Sequence, residues 1–488
     1  MKILSDIMGR SDLPEIEISG ISSDSRSVRR GFLFVALAGS NMDGREYIED
    51  AIRHGAKAIL VPKGTQQPLC MEGVDEIVWV EEENPRLALA KAAARFYGVQ
   101  PETIVAVTGT NGKTSTVSFT RQIWEHLGYR AASLGTLGLQ GGITVQSAEQ
   151  SGSMTTPDPV RLHAQLADLA ASGIDHLAIE ASSHGLDQHR LDGMNVSAAG
   201  FTNVTHDHLD YHGSMENYAS SKRRLFDGLL KDNGVAVVNA DSLESENIKK
   251  ICQERGITYW SYGYKGKELR LISRKAQPTG QHLVLEIFGQ EIEFTLPLVG
   301  EFQVMNMLCA AGLVLARCQK RLQEVIDILP KLTGVPGRLE FVPGHKQGAA
   351  VYVDYAHTPD ALENVLKALR PHTQKMLVCV FGCGGNRDKA KRPVMGKIAA
   401  QLADINIITD DNPRNENAAQ IRAEIKQGAP QATEIADRRQ AIETAVKFCK
   451  SGDVLVIAGK GHEHGQIVGD HVEPFDDVHE AHLAMETS

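Results

Sequence analysis

Cysteine is scarce in this sequence and shows no regular spacing. Seven cysteines are scattered over 488 residues, and no two of them are spaced as Cys-x-x-Cys. The pattern signals neither a disulfide framework nor a structural zinc site, because both need cysteines at characteristic separations. We therefore expect reduced thiols and a cytoplasmic protein.

Long hydrophobic runs and an excess of basic charge are missing as well. No stretch approaches the ~20 apolar residues of a membrane span, and residues 1–6 do not begin a signal peptide. Lys and Arg number 51 against 61 Asp and Glu, which gives a net charge of −10 without a basic block. This balance argues against nucleic acid or a membrane surface as partner. It favours a small molecule held in a local basic pocket.

The length and the order of predicted elements indicate a three-domain α/β protein. At about 150 residues per domain, 488 residues suggest three domains. Strand and helix signals alternate after residue 86, and a turn-rich segment at 333–337 interrupts them before they resume. We predict an N-terminal domain at 1–86, a central domain with a parallel sheet and a phosphate loop at 87–335, and a C-terminal Rossmann-like domain at 336–488.

A glycine-rich loop follows the predicted strand at 104–107. Backbone N–H groups of such a loop can surround phosphate oxygens, the lysine can reach the outer phosphates, and the threonine hydroxyl suits Mg²⁺. The loop is two residues shorter than the common GxxxxGK[ST] form, and a plain turn with a solvated lysine is the alternative. We predict that the ATP contacts here are Gly109, Thr110, Asn111, Gly112, Lys113, Thr114 and Ser115.

Two other predicted strands end in side chains that can bind metal. Glu180 closes the strand at 177–179, and a His-rich run that includes His208 follows the strand ending at Phe201. Ligands collect at the carboxyl ends of strands in open α/β sheets, so both could help hold the Mg²⁺ of ATP. The alternative is that the histidines only cap turns.

One lysine lies on the apolar face of the predicted helix at 215–230. Tyr218, Lys222, Leu225 and Leu229 share this face by their spacing. A buried ammonium must be paired, neutralised or modified. The alternative is a lysine that snorkels from the edge of the stripe.

These motifs, in this order, resemble those of the Mur ligase family of ATP-dependent, amide-forming enzymes of peptidoglycan synthesis. The resemblance covers essentially the whole chain, and the short phosphate loop is the family's own form. It implies that Lys222 is carboxylated to N6-carboxylysine and helps hold Mg²⁺ together with Thr114, Glu180 and His208. It also implies catalytic roles for Lys113, Lys222, Glu180 and His208.

The same resemblance extends to further ATP contacts near and beyond the second domain boundary. Arg338 and Asp354 lie in segments similar to the family's hinge and nucleotide motifs, and Asn306 resembles its adenine-side asparagine. The sequence departs from the family at Phe302-Gln303, where His-Asn or Phe-Asn is frequent. This departure leaves the role of Gln303 open.

Three C-terminal motifs each follow a predicted strand and should meet at one edge of a sheet. Arginine forks suit carboxylates, while acidic side chains suit ammonium groups. A pocket of both signs fits meso-diaminopimelate, whereas lysine would leave Arg414 without a carboxylate. In the family, Asp-Asn-Pro-Arg resembles the signature of the diaminopimelate-adding members. We predict contacts from Arg387, Asp411, Asn412, Pro413, Arg414, Gly459 and Glu463.

The resemblance also implies a binding site for a UDP-N-acetylmuramoyl dipeptide. Met154 stands where relatives often have Asn and is left out. The implied contacts are Ser23, Ser25, Ser40, Asn41, Met42, Thr155, Thr156, Ser182, Gln188 and Arg190.

The function expected from these motifs is ligation of diaminopimelate to UDP-N-acetylmuramoyl-L-alanyl-D-glutamate through an acyl phosphate, with ATP and Mg²⁺. The alternatives are a lysine-adding ligase, a folylpolyglutamate synthetase and a nucleotide-binding paralogue without catalysis. A folate reaction would leave the first domain and the Asp-Asn-Pro-Arg motif unexplained. We expect a monomer.

Overall fold

The structure is a computed structural model that describes residues 1–39, 42–67, 77–141 and 154–487. The chain divides into two units, each described here by itself. Unit 1 comprises Met1–Ser261 and Cys309–Leu322, and unit 2 comprises Tyr262–Leu308 and Gln323–Ser488.

The N-terminal part of unit 1 is a four-stranded parallel sheet in the order β3-β4-β5-β6. Alternate residues of β4 and β5 pack into separate clusters, Leu33 and Leu60 on one face and Phe34 and Ile59 on the other. Burial of both faces explains why these strands are continuous apolar runs. The elements are β1 (Lys2–Ile3), α1 (Leu4–Met8), β2 (Glu17–Ile18), β3 (Gly20–Ser22), β4 (Phe32–Val35), α2 (Ile48–Arg53), β5 (Ala58–Pro62), β6 (Val78–Glu82) and α3 (Pro85–Tyr97).

The larger sheet of unit 1 runs in the order β12-β11-β7-β10-β8-β9 and is parallel except for β9. Strand β7 lies between β10 and β11, where the strand order reverses, and such a point is the usual ligand site of open α/β sheets. The elements are β7 (Thr103–Thr108), α4 (Lys113–His126), β8 (Ala131–Gly135), β9 (Gly138–Gly141), α5 (Pro159–Ala171), β10 (His176–Glu180), α6 (Ser183–Asp187), β11 (Val196–Phe201), α7 (Leu209–His212), α8 (Met215–Arg224), β12 (Val235–Asn239), α9 (Ser245–Arg255) and β13 (Thr258–Gly263), the last of which contains a division between the units.

Unit 2 contains three antiparallel strands that the strand–helix alternation did not predict. In β15, buried and half-buried residues alternate, which is typical of a strand with one covered face. Helix α10 contains another division between the units. The elements are β14 (Leu269–Gln277), β15 (Gly280–Ile287), β16 (Gln290–Leu296), α10 (Glu301–Cys318) and α11 (Leu322–Ile328).

The C-terminal sheet of unit 2 runs in the order β17-β18-β22-β19-β20-β21 and is parallel except for β17. Apolar clusters cover both of its faces. A separate antiparallel ribbon, β23–β24, follows β22. The elements are β17 (Glu340–Val342), β18 (Ala350–Asp354), α12 (Pro359–Leu369), β19 (Leu377–Phe381), α13 (Lys391–Leu402), β20 (Ile405–Ile408), α14 (Ala418–Gly428), β21 (Thr433–Glu434), α15 (Arg438–Phe448), β22 (Val454–Ala458), β23 (Gly465–Val468), β24 (His471–Pro474) and α16 (Asp477–Glu486).

The architecture confirms the predicted α/β class, with a central parallel sheet behind the phosphate loop and a Rossmann-like C-terminal sheet. The six cysteines among the described residues are free thiols. Within the same residues, no helix combines the length and apolarity that a membrane crossing requires.

Candidate active site

The phosphate loop joins β7 to α4 and depends on two glycines with positive φ. Gly109 has φ +150°, and a Cβ atom there would lie 1.9 Å from Thr202 Oγ1. Gly112 has φ +88° and immediately precedes the helix that begins at Lys113. Glycine has no Cβ atom and is therefore the residue that fits at position 109. Its conformational freedom allows the backbone to turn tightly after β7.

Contacts from the loop after β11 hold the phosphate loop. Asn203 accepts the backbone N–H of Thr110 with its main-chain oxygen at 2.9 Å and that of Asn111 with Oδ1 at 3.0 Å. Lys113 Nζ donates to the main-chain oxygens of Gly109 and Thr110 at 2.9 and 2.8 Å. Asn203 was not among the predicted site residues, although its position two residues after the end of β11 was a usable signal.

Glu180 lies beside the phosphate loop because β10 pairs with β7, with Glu180 opposite Val107. Its carboxylate is 1% exposed and accepts the backbone N–H of Thr136 at 2.8 Å and the Thr136 hydroxyl at 3.2 Å. The Thr114 hydroxyl, at the start of α4, is also buried, as is Ser115. The sheet thus brings side-chain oxygen atoms that could bind a metal to one edge, at the carboxyl ends of the neighbouring strands β7 and β10.

Lys222 is buried at 1% exposure, as its place on the apolar face predicted. Its Nζ lies 4.3 Å from the centroid of the Tyr218 ring. Burial and the positive charge of Lys113 lower the pKa of Lys222 well below its ordinary value, while Asp207 acts in the opposite direction. The Tyr218 hydroxyl lies 3.1 Å from Thr110 Oγ1, so the lysine helix contacts the phosphate loop through this tyrosine.

His208 occupies a more open position than the other predicted metal ligands. Its backbone is left-handed, with φ +52°, and its side chain is 48% exposed. Nε2 lies 3.5 Å from Asp207 Oδ2, and the ring packs edge-on against His184. Among the residues that the structure describes, no group of three or more His, Cys, Asp or Glu could hold a metal by itself.

Predicted peptide contacts surround Glu180. Thr156 Oγ1 donates to the main-chain oxygen of Glu180 at 3.0 Å and lies 2.9 Å from Ser182 Oγ. Thr155 Oγ1 lies 3.3 Å from Thr136 Oγ1, which itself contacts Glu180. The structure therefore joins Thr155, Thr156 and Ser182 to the same sheet edge as the phosphate loop.

The other two predicted peptide contacts join this group through an arginine. Arg190 donates to the main-chain oxygen of Thr156 at 2.8 Å and to Gln188 Oε1 at 2.7 Å. Gln188 donates in turn to the Tyr211 hydroxyl at 3.0 Å. Met154, which was left out of the prediction, contacts Arg190 through its sulfur at 3.2 Å.

Three of the predicted UDP contacts, Ser23, Ser25 and Met42, lie in the N-terminal sheet region, and no hydrogen bond among the described residues joins them to this group. Ser25 is buried and Ser23 is exposed, on either side of an Asp that caps a short helical turn. Met42 is 66% exposed. Ser40 and Asn41 lie outside the described residues.

In unit 2, the predicted adenine-side and hinge residues form one chain of contacts. Asn306 donates to Gln303 Oε1 at 3.1 Å, and Gln303 donates to the main-chain oxygen of Arg338 at 3.3 Å. The Arg338 guanidinium lies 4.7 Å from the centroid of the Tyr355 ring. Gln303 therefore links Asn306 to Arg338, a role that the sequence left open.

Asp354 ends β18 and organises the backbone next to Arg338. Its carboxylate accepts the N–H groups of Leu339 and Ala356 at 2.7 and 2.8 Å. Burial raises the pKa of Asp354, while the Arg338 charge and these two bonds act in the opposite direction. For the nearby His462, burial and the Arg338 charge act in the same direction and lower the pKa to about 4.

The three C-terminal motifs meet at the carboxyl edge of β19, β20 and β22. Gly459 has φ +123°, and a Cβ atom there would lie 2.5 Å from Asp411 Oδ2. Asn412 donates to Glu463 Oε2 at 2.9 Å, and Pro413 is buried beside it. Asp411 Oδ2 is buried and makes no hydrogen bond to any described residue.

The two predicted carboxylate-binding arginines differ in their contacts. Arg414 has a left-handed backbone, with φ +51°, and its N–H donates to the main-chain oxygen of Ile467 in the β23–β24 ribbon at 3.0 Å. Its guanidinium donates to the main-chain oxygen of Gly385 at 3.0 Å. Arg387 is exposed in the loop after β19.

Comparison with known proteins places this arrangement in a family. The chain matches the Mur ligase family, catalytic domain, at residues 17–97, the Mur ligase middle domain at 107–314, and the Mur ligase, glutamate ligase domain, at 337–461. A UDP-N-acetylmuramoyl-L-alanyl-D-glutamate–2,6-diaminopimelate ligase of Caulobacter vibrioides is 51% identical in an alignment of 488 positions that covers 99% of this chain and 99% of the relative. The chain belongs to the Mur ligase family.

Other relatives and solved structures agree with this assignment. The ligase of the same name from Brucella melitensis is 49% identical over 96% of this Mur ligase and 94% of the relative. A solved structure of such a ligase has a TM-score of 0.73 at 34% identity, over 100% of this chain and 99% of that one. MurF of Thermotoga maritima in complex with ADP shares the fold, with a TM-score of 0.59 at 18% identity over 96% and 97% of the chains. Mur ligases are ATP-dependent enzymes.

Proposed function

We propose that this Mur ligase joins meso-diaminopimelate to UDP-N-acetylmuramoyl-L-alanyl-D-glutamate, with conversion of ATP to ADP and phosphate, in peptidoglycan synthesis. The observation that carries the proposal is the identity of about one half to ligases of that name over nearly the whole chain. Domain boundaries at 86/87 and 335/336 and a cytoplasmic, monomeric enzyme are part of the same proposal.

The charges at the carboxyl edge of the C-terminal sheet support diaminopimelate as the amino acid. Arg387 and Arg414 supply guanidinium groups, while Asp411 and Glu463 supply carboxylates. A substrate with an ammonium and a carboxylate at both ends can pair with groups of both signs. Asn412, Pro413 and Gly459 would shape the same pocket.

Residues of unit 1 would bind the triphosphate and Mg²⁺. The N–H groups of the loop from Gly109 to Ser115 and the Lys113 ammonium suit phosphate oxygens. The donor set fits Mg²⁺, because the buried Thr114 hydroxyl and Glu180 carboxylate are oxygen ligands. Bound there, Mg²⁺ would offset the negative charge of the phosphates. In unit 2, Asn306, Arg338 and Asp354 would contact the nucleotide.

Lys222 would complete the metal site as N6-carboxylysine. A free amine is a poor ligand for Mg²⁺, whereas a carbamate provides oxygens. The lowered pKa of Lys222 supports the modification, because the neutral amine is the form that reacts with CO₂. His208 would take a place near this site.

The dipeptide substrate would lie along Thr155, Thr156, Ser182, Gln188 and Arg190, and its UDP part would contact Ser23, Ser25, Ser40, Asn41 and Met42. The free D-glutamyl carboxylate would attack the γ-phosphate to give an acyl phosphate. The amine of diaminopimelate would then displace phosphate and form the amide. Lys113 would stabilise the charge that develops on the phosphoryl group, and the enzyme's main contribution would be orientation of the reactants.

The test is ADP release in the presence of UDP-N-acetylmuramoyl-L-alanyl-D-glutamate, Mg²⁺ and bicarbonate. We expect release with meso-diaminopimelate and much less with L-lysine. ADP release with L-lysine but not with meso-diaminopimelate would support ligase activity and contradict diaminopimelate as the amino acid. No release with either amino acid, under conditions in which ATP binds, would favour a paralogue without catalysis.

A further inference from the structure

Lys460 is a fully buried lysine next to the proposed amino-acid pocket, and none of the roles assigned above uses it. It follows Gly459 at the end of β22 and has 0% exposure. Burial of an ammonium group is unfavourable unless acceptors surround it. Its Nζ donates to Asn412 Oδ1 and to the main-chain oxygen of Gly465, both at 2.7 Å, and lies 3.8 Å from Glu463 Oε2.

These contacts fix which end of the Asn412 amide faces the pocket. Asn412 Oδ1 accepts a second hydrogen bond, from the backbone N–H of Ile467 at 2.9 Å. With both donors on the oxygen, the amide nitrogen points to Glu463 and donates to its Oε2 at 2.9 Å. A flipped amide would place its NH₂ group against two donors and leave the Glu463 carboxylate without this bond.

We propose that Lys460 is a positioning residue for the amino-acid substrate, because it fixes the Asn412 amide and, through that amide, directs the Glu463 carboxylate toward the substrate ammonium. The inference rests on the proposed function, in which Asn412 and Glu463 contact the amino acid. Burial lowers the pKa of Lys460, and the negative charges of Asp411 and Glu463 partly oppose that effect.

The test compares steady-state kinetics of the full-length enzyme and its Lys460→Met variant, which keeps the side-chain length but not the donors. We expect KM for diaminopimelate to rise by about 10- to 100-fold, as for loss of hydrogen bonds to charged groups, with KM for ATP and kcat changed by less than about 3-fold. Asp453→Asn is the control. Asp453 is also buried, but it binds backbone N–H groups of Met376 and Lys450 at the opposite ends of the strands.

A double variant separates positioning from general loosening. If Lys460 acts through Asn412, then Lys460→Met should raise KM for diaminopimelate far less in an Asn412→Ala background than in the wild type. Additive effects, or an equal rise in KM for all three substrates, would contradict the proposal. So would an unchanged KM for diaminopimelate in Lys460→Met.

Failure of this inference is distinguishable from failure of the proposed function. A wild type that uses diaminopimelate, with a Lys460→Met variant that binds it equally well, overturns only the role of Lys460. If the wild type uses L-lysine instead, the assignment of diaminopimelate is wrong. The role of Lys460 is then tested by comparing KM for lysine between the wild type and Lys460→Met. A wild type that uses neither overturns both. If Lys460→Met does not fold, Lys460→Leu, which also lacks the donors, decides by the same KM comparison.

Discussion

Burial of the Lys222 amine is unfavourable for folding, but it also prepares this side chain for a chemical role. Its amine is buried over the Tyr218 ring rather than in water, and this placement lowers its pKa. Snorkelling, the alternative raised by the sequence, requires an exposed ammonium, and the 1% exposure of Lys222 argues against it. A buried amine with a lowered pKa beside a phosphate loop is suited to modification by CO₂.

Replacement of Lys222 by Ala should abolish ligation while the protein stays folded, because removal of a buried amine leaves no unpaired charge. With a carbamate role, activity should fall by at least about 100-fold, comparable to the loss of a group that stabilises transition-state charge. ADP release measures this. Lys250→Ala, at an exposed lysine of α9, is the control.

Carboxylation itself can be observed separately from activity. Wild-type protein in ¹³C-bicarbonate should give a carbamate carbonyl signal in its NMR spectrum, and Lys222→Ala should lack that signal. Retention of full activity by Lys222→Ala, at any supply of CO₂, would contradict the role.

At the scale of the elements, the phosphate loop has a backbone that tolerates little change at Gly109. At Gly109, positive φ coincides with a Cβ position 1.9 Å from Thr202 Oγ1, so Gly109→Ala must displace the loop or Thr202. We expect the dissociation constant for ATP to rise by about 10-fold or more, because a few ångströms of loop movement misdirect several N–H donors at once. Calorimetric titration with ATP and Mg²⁺ measures this constant.

Gly228→Ala is the matched control for Gly109→Ala. Gly228 also lies in unit 1, but a Cβ atom there would meet no atom within 4 Å. Its ATP affinity should equal that of the wild type. Equal affinity in Gly109→Ala would show that the loop tolerates a side chain and that the close contact does not constrain it.

The sequence predicts best the elements whose hydrophobic residues follow one clear pattern. The strand predicted at 104–107 is β7, Thr103–Thr108, and the strand predicted at 177–179 is β10, His176–Glu180. The helix predicted at 215–230 ends at Arg224 and continues as a wider π-helical turn, Leu225–Leu229. Hydrophobic spacing reports the buried face but not the hydrogen-bond pattern along the backbone.

The antiparallel strands β14–β16 and several site contacts were not predictable in this way. Many residues of β14 and β16 are exposed, so these strands lack the apolar runs that marked the buried strands. Gln303 and Asn203 act through partners distant in sequence, and a single sequence does not reveal such pairs. By contrast, the candidate residues at strand ends converge because parallel strands share one edge.

At the scale of the whole molecule, the proposed binding residues are divided between two units. Those for the dipeptide and the phosphates lie in unit 1, and those for diaminopimelate lie in unit 2. A ligand stabilises the part of a protein that binds it, by about 2.7 kcal/mol at 100 times its dissociation constant. Local stability, rather than one global value, is therefore the quantity that ligands should change.

Hydrogen exchange should register this division. UDP-N-acetylmuramoyl-L-alanyl-D-glutamate should slow amide exchange mainly in β7 and β10 of unit 1, and diaminopimelate mainly in β19 and β22 of unit 2. Arg190→Ala should remove the first effect and leave the second, and Arg414→Ala should do the reverse. Equal protection of both units by either ligand alone would contradict the prediction, because the ligand would then stabilise residues that it does not contact as strongly as those that it does.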